Sequence, residues 1–382
     1  MRSRPAAKNS SVTSSSVADP NAPDASLAPD ASNDGADTSY SHRGLTYPLG
    51  RREPALGELI PLADGVGWAR LPIPGALKHV NLWALEDGEG VAIVDTGLDI
   101  PPCRESWEAL LAGPLAGRSI TRIIVTHFHP DHLGLAGWLS ERFAAPLWMT
   151  REEWLFARML TTDVRDTPPP EAIACWRGAG WSEERIEAEA AKGWGRFAAM
   201  VSPVPVSFRR MRDGDSIAIG ERRWRVVVGN GHCPEHACLV DDEGKVMIAG
   251  DQVLPRITSN VSLSLSEPDG DPLGDWLASI EKLRALPADL LVLPSHGDPF
   301  TGLHARLDSL EHGHLDRLDA LHRHLAQPRR AMDCFSLLFA REIGEGLIGL
   351  ATGEAMAHLR YLEARGQAVR ETVDGVWWFR QS

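Results

Sequence analysis

The sequence predicts a mixed α/β fold: two groups of short strands with helices around them, followed by a helical C-terminal module. Three observations predict it. Short apolar runs bounded by turn residues recur from residue 58 to 94 and again from 216 to 293, as buried strands do. Residues 151–200, between the two groups, read as helical. The run Thr126-His127-Phe128-His129-Pro130-Asp131-His132 packs three imidazoles and a carboxylate directly behind the apolar Ile123-Ile124-Val125.

The elements follow in order. Residues 1–45 are rich in Ser, Ala, Asp, Asn and Pro with almost no large apolar residue; such a segment buries too little surface to offset ordering and reads as a disordered tail. Strands are expected at Leu59–Leu62, His79–Leu85 and Gly90–Asp95, a helix near 103–113, then the strand leading into the histidine motif and a helix over Leu133–Phe143. The 151–200 segment carries Trp154, Trp176, Trp181 and Trp194 and is broken by Thr167-Pro168-Pro169-Pro170; its tryptophans are expected to pack, and the segment as a whole is a candidate pocket wall. Strands return at Ser216–Ile219, Trp224–Val228, Cys238–Val240, Lys245–Ala249 and Leu290–Leu293. The body of the chain is thus 46–303, and 304–382 is a second module. That module has helices at 304–326, 333–342 and 353–365 and a hairpin turning at Asp374-Gly375, an order that resembles a winged helix. Its histidines at 304, 312, 314, 322 and 324 keep no common face and are expected at the surface.

Bulk properties narrow the function. The 382 residues suit two domains, and a hydrophobic content of 43% supports a sizeable core. No apolar run reaches the roughly 18 residues needed to span a membrane, and the N-terminus lacks a secretory apolar stretch, so the expected location is the cytoplasm with no membrane partner. A formal charge of −13 disfavours nucleic acid as a partner, because its binding leans on positive patches. Residues 304–382 hold 10 Arg, no Lys and 11 Asp plus Glu, which disfavours a DNA-reading role for the winged tail. Five cysteines, with no C-x-x-C pair, indicate neither a disulfide framework nor a cysteine metal cage; Cys233 is expected to be a small buried residue.

Imidazole and carboxylate are the ligands that zinc, iron and manganese accept. In an extended segment alternate side chains share a face, so His127 and His129 can grip one cation from one side. Asp131 and His132 follow a proline that turns the chain and can reach a second. Four further polar residues each end an apolar run: Asp95 after Val91–Val94, His232 after Val226–Gly231, Asp251 after Val246–Gly250, and His296 after Leu290–Ser295. Strands that end this way place polar groups along one sheet edge, and glycines beside His232, Asp251 and His296 let the backbone approach closely.

The set Asp95, His127-x-His129-x-Asp131-His132, His232, Asp251 and His296 resembles the five motifs of the metallo-β-lactamase superfamily, in order, over roughly residues 55–300. The resemblance implies a four-layer αββα sandwich with a binuclear site at one edge, usually zinc, with iron or manganese as the other candidates. It implies that His127, His129 and His232 hold the first metal, that Asp131, His132 and His296 hold the second, and that Asp251 bridges both. Asp95 would orient ligands by hydrogen bonding, and His236 matches a recurring histidine of the thioesterase-like branch, whose many members have Gly where Glu235 stands. A metal-bridging hydroxide would attack the substrate, with Asp131 orienting it and shuttling a proton. The H-x-H pair differs from the H-x-E of the diiron flavoproteins, and Asp251 stands where β-lactam hydrolases usually have Cys or Ser. The 45 positions from Asp251 to His296 leave no room for the domain inserted in one nuclease branch. The expected reaction is hydrolysis of a small-molecule carbonyl substrate, a thioester of glutathione or CoA type or an ester or lactone, as in the glyoxalase II-like branch. The rivals are a phosphodiesterase or endoribonuclease with the same metals, and a DNA-binding regulator. Arg256, in a loop that borders the pocket in this fold, is a candidate for binding a substrate carboxylate or phosphate.

Overall fold

The structure, a computed structural model, describes residues 38–243 and 245–382. Residues 1–37 of the expected tail lie outside the described residues. The last residues assigned to that tail are instead folded: β1 (Tyr40–His42) and β2 (Leu45–Tyr47) form an antiparallel hairpin. Its Leu45 and Tyr47 are buried in a cluster with Phe300 and Leu303, and this local apolar pair outweighs the polar composition around it.

Two sheets make the body. The first runs β3 (Ile60–Ala63), β4 (Val66–Pro72), β5 (His79–Asp87), β6 (Gly90–Val94), β7 (Ile120–Ile124), β8 (Leu147–Met149) and β9 (Arg209–Arg210), each beside the next. The second runs β10 (Ser216–Ile219), β11 (Arg222–Gly229), β12 (His236–Asp241), β13 (Val246–Gly250) and β14 (Leu291–Pro294). Helices α1 (Pro101–Ala112), α2 (Pro130–Leu133), α3 (Ala136–Phe143) and α4 (Arg151–Thr162) belong to the first half, and α5 (Pro170–Gly178) and α6 (Glu183–Ala190) complete the insert. After them come α7 (Pro272–Leu283), α8 (Leu303–His324), α9 (Phe335–Leu338) and α10 (Ile348–Ala364), and last a hairpin of β15 (Ala368–Val373) and β16 (Val376–Gln381).

The period-2 alternation of side chains along a strand sorts the core into layers. In β6, Ala92 and Val94 face the other sheet while Val91 and Ile93 pack on helices. In β13, Val246 and Ile248 face inward while Met247 and Ala249 pack outward. The inter-sheet layer holds Trp68, Trp83 and Trp224. Trp107 of α1 and Leu139 of α3 cover the first sheet, and Trp276 and Ile280 of α7 cover the second. The order is therefore helix, sheet, sheet, helix.

The expected helix over Leu133–Phe143 is interrupted. Leu135 turns its N–H to Gly97 O (3.1 Å) and Thr96 Oγ1 (3.2 Å), which docks the break between α2 and α3 on the loop after Asp95. The expected helix over 333–342 is also shorter: a 3-10 turn at Ala331–Cys334 leads into α9, which stops where Phe339 becomes extended. The expected hairpin is present, with Asp374 and Gly375 both at positive φ, as a two-residue hairpin turn requires. Among the described residues no helix is long and apolar enough to cross a membrane.

The C-terminal elements do not stand apart. Leu307 and Leu310 of α8, Met356 and Leu359 of α10 and Phe379 of β16 share one apolar cluster with Val227 and Met247 of the second sheet and with Trp181 and Ile186 of the insert. His314 corrects the surface expectation: it is fully buried, 3.4 Å from the buried His358, because its face of α8 packs on α10 and α7.

Trp224 fills the space between the sheets and is 1% exposed. Trp224→Ala should lower unfolding stability by about 3–5 kcal/mol, read from the midpoint of urea denaturation; a shift of less than about 1 kcal/mol would contradict the layer assignment.

Candidate metal centre

The polar residues singled out in the sequence meet at one edge of the sandwich. β6 and β7 are parallel, as are β13 and β14. Asp95, the 127–132 run, His232, Asp251 and His296 therefore all follow the C-terminal ends of strands whose apolar residues lie in the two core layers.

The donor atoms converge. His127 Nε2 lies 2.9 Å from His129 Nδ1 and 3.2 Å from His232 Nε2. On the other side, Asp131 Oδ2 lies 3.3 Å from His296 Nε2 and 3.6 Å from His132 Nε2. Asp251 stands between: Oδ2 is 3.5 Å from His232 Nε2, while Oδ1 is 3.5 Å from His296 Nε2 and 3.6 Å from His132 Nε2. Three donor triplets with atoms mutually within 4.8 Å could hold a metal ion: His127, His129 and His232; His127, His132 and Asp251; and Asp131, His132 and His296.

The surrounding hydrogen bonds set which imidazole nitrogen faces inward. His132 donates Nδ1–H to Asp95 Oδ2 (2.8 Å), His232 to Asn260 O (2.7 Å) and His296 to His79 O (2.8 Å). The Thr126 hydroxyl donates to Asp95 Oδ2 (2.9 Å) and so accepts from His127 Nδ1 (3.0 Å). One carboxylate thus orients two rings, and Asp95 also takes the Thr126 N–H (2.8 Å). It does so from a backbone at φ 63°, a conformation few residues other than glycine adopt. Four rings are left with Nε2 pointing into the cluster. His132 Nε2 and Asp251 Oδ1 are buried with no hydrogen-bond partner, and atoms of that kind are costly unless something binds them. The donor set fits a cation at each end of Asp251.

Charge follows this arrangement. Burial, and then neighbouring imidazoles, hold His127 far below the ordinary histidine range, and burial chiefly holds His129 at about 3, so both rings are neutral, as ligation requires. His132 runs the other way. Burial works to lower it, but the carboxylates of Asp131, Asp95 and Asp251 outweigh burial and raise it to about 10. Burial would raise Asp131, yet His132 and His296 hold it well below the usual carboxylate range.

His236 is placed behind the cluster. Its Nε2 accepts the Asp251 N–H (3.0 Å), and its ring lies 4.9 Å from His127. Gly250, at φ +54°, has no room for a side chain, since a Cβ there would collide with the His236 ring. Arg256 lies in the loop after Asp251; its guanidinium donates to Tyr40 Oη (2.6 Å), pairs with Asp298 (3.2 Å) and covers the Tyr47 ring. Cys233 is buried, and burial raises its thiol well above the usual range.

Other residues that build the site carry no motif. Glu153, fully buried on α4, accepts the Phe128 N–H (2.8 Å) and the Glu235 N–H (2.7 Å), tying together the two loops that carry His127, His129 and His232. Glu235 in turn accepts the Glu152 N–H (2.9 Å) at the start of α4, and its carbonyl takes the Thr150 hydroxyl (2.8 Å), which gives a glutamate at that position a use. Asn81 donates to Pro294 O (2.7 Å) and Gly297 O (2.8 Å) on either side of His296. Arg70 reinforces the same loop through Gly297 O (3.0 Å) and Asp298 (2.6 Å).

Comparison with known proteins agrees with the geometry. Residues 76–296 match the Metallo-beta-lactamase superfamily, and residues 318–382 match the Metallo-beta-lactamase-like, C-terminal domain. The chain belongs to the metallo-β-lactamase superfamily. A crystal structure of a beta-lactamase domain protein from Burkholderia ambifaria is 37% identical, with a TM-score of 0.82 over 88% of this chain and 98% of that one. The probable metallo-hydrolase YqjP of Bacillus subtilis is 25% identical over 318 residues, 81% of this chain and 93% of its own. The acyl-coenzyme A thioesterase MBLAC2 of Gallus gallus is 27% identical over 257 residues, 63% of this chain and 80% of its own. The protein is a hydrolase of this superfamily, with a mixed α/β body and a C-terminal helical module.

Two outcomes follow from the supporting bonds. Asp95→Asn places an amide NH2 where His132 needs an acceptor, so affinity for divalent metal should fall about 10–100-fold in chelator competition; unchanged affinity would contradict the orienting role. Glu153 is raised by burial from 4.5 to about 7. The folded state therefore holds its proton more tightly than the unfolded chain, and stability from this group falls as pH rises from 4.5 to 7. Glu153→Gln removes that dependence, so the stability advantage of wild type over the variant should shrink across this window in metal-free urea titrations. An advantage that grows with pH would overturn the account.

Proposed function

We propose that the protein is a two-cation hydrolase that cleaves a thioester of acyl-CoA or acyl-glutathione type, or a related ester or lactone. The observation that carries this reading is the placement of Asp251, whose two carboxylate oxygens face different donor groups, Oδ2 toward His232 and Oδ1 toward His132 and His296. His127, His129 and His232 would hold one divalent ion, Asp131, His132 and His296 the other, with Asp251 shared; zinc suits this nitrogen and oxygen set, as iron and manganese do. When bound, the ions polarise the substrate carbonyl and make water a nucleophile near neutral pH.

The chain's own groups do the rest. Asp131, half-buried and held ionised, is the carboxylate beside His132 and His296 that can orient the attacking water and take its proton. Asp95 and Thr126 keep His132 and His127 in the tautomers that present Nε2. Phe128 stacks on Phe156 (5.4 Å) and packs on Phe197 (6.2 Å), and its ring is 4.6 Å from His129. This apolar wall beside the donor cluster suits an acyl chain better than a phosphodiester. The likeness to the chicken acyl-coenzyme A thioesterase supports the same choice.

The decisive assay is a parallel panel with zinc-, manganese- or iron-loaded protein: acyl-CoA, acyl-glutathione, lactones, bis-p-nitrophenyl phosphate and single-stranded RNA. Carbonyl substrates should turn over, and Asp131→Ala should lower kcat by at least about 100-fold. Phosphodiester turnover without carbonyl turnover would replace this reading with that of a phosphodiesterase.

A further inference from the structure

The loop between Asp251 and α7 has no regular secondary structure over residues 252–263, yet the Nδ1–H of His232 depends on it through Asn260 O. What holds this loop comes largely from the C-terminal module. Arg306 of α8, 5% exposed, donates Nε–H to Leu254 O (2.5 Å) and Nη2–H to Ile257 O (2.7 Å). Glu354 of α10 accepts from Asn260 Nδ2 (3.0 Å). The Leu263 N–H reaches Gly353 O (3.0 Å), and Ser262 Oγ bonds Asn260 Oδ1 and lies 3.4 Å from Leu350 O. A Cβ on Gly353 would stand 2.7 Å from Ser262 Oγ, so the helix and the loop are as close as glycine permits. Within the loop, Ser259 Oγ donates to the backbone carbonyl of Asp251, so the same strap is tied to the main chain at the shared aspartate.

We infer that the C-terminal module is a working part of the metal centre: Glu354, through Asn260, positions the His232 imidazole, and Arg306 fixes the loop that carries Asn260. This rests on the two-cation reading above. The physical reason is the tautomer. A neutral imidazole presents Nε2 to a cation only while Nδ1 keeps its proton, and the Asn260 carbonyl is what Nδ1–H donates to. The carbonyl has no covalent link to His232, so its place depends on the loop, and the loop's place depends on α8 and α10. Glu354 is a positioning residue. Behind it, His358 donates Nδ1–H to Glu354 O (2.8 Å) and lies against the buried His314, which keeps this turn of α10 in register with α8.

The test uses the full-length chain in four variants: Glu354→Ala, Glu354→Gln, Asn260→Ala and His127→Ala. Asn260→Ala keeps the backbone carbonyl and removes the side-chain amide, with its bonds to Glu354 and to Ser262. Zinc binding is followed by competition with a chromophoric chelator, the Co2+-loaded protein by its visible absorption, and folding by far-UV circular dichroism. Glu354→Ala and Asn260→Ala should each weaken one zinc site about 10–100-fold, leave the other unchanged and alter the Co2+ spectrum. Glu354→Gln, which keeps an acceptor oxygen, should return close to wild type. If Glu354→Ala does not fold, Asn260→Ala carries the test. Wild-type affinity and spectrum in the folded Asn260→Ala variant overturn the inference, provided His127→Ala loses a zinc ion. Two tight zinc ions in His127→Ala overturn the ligand assignment, and fewer than two zinc ions in the wild-type chain overturn the two-cation reading itself.

Discussion

Bringing imidazole nitrogens and carboxylates lone pair to lone pair inside a buried edge is the constraint on which the rest of this structure depends. His127, His132, Asp251 and His296 are all under 8% exposed, and His132 Nε2 and Asp251 Oδ1 have no hydrogen-bond partner among the described residues. Unpaired groups of this kind cost roughly 1–3 kcal/mol each when buried. Such an array needs backbone positions that are over-determined, and bound cations would relieve it. The parallel strand pairs meet that need by ending at one edge, and the outer hydrogen bonds meet it again one layer out.

That outer layer is economical. Asp95 serves two rings and one backbone amide; Glu153 serves two loops; His236 serves the backbone of Asp251. Each is a single polar side chain fixing several degrees of freedom, which is why a 1 Å misplacement in this layer is felt at the donors. The insert and the C-terminal helices join the same scheme. α4 supplies Glu153, and α8 and α10 hold the loop behind His232. Both additions share apolar clusters with the sheets, so their positions are set by core packing.

The donors were legible in the sequence because each closes an apolar strand: a run such as Val226-Val227-Val228 followed by Gly231-His232 announces both a strand and the place where it stops. The layer order followed from the resemblance those donors carry. What escaped was of two kinds. Strand β4 (Gly67-Trp68-Ala69-Arg70-Leu71 at its centre) is buried on both faces, so it shows no alternation, and its Arg70 reads as surface until Asn81 and Asp298 are seen to satisfy it. Glu153 and Asn81 act across long stretches of chain on backbone atoms, and Asn260 acts through its own carbonyl; a backbone partner leaves no mark in a motif. His314 misled for a related reason, since whether a helical histidine faces water depends on which helix packs there.

An anomalous-difference map from crystals grown with zinc tests the central claim most directly. The account predicts two peaks roughly 3.5–4 Å apart, one among His127, His129 and His232, the other among Asp131, His132 and His296, with the Asp251 carboxylate between them. A single peak, or two peaks that leave Asp251 uncoordinated, would contradict it.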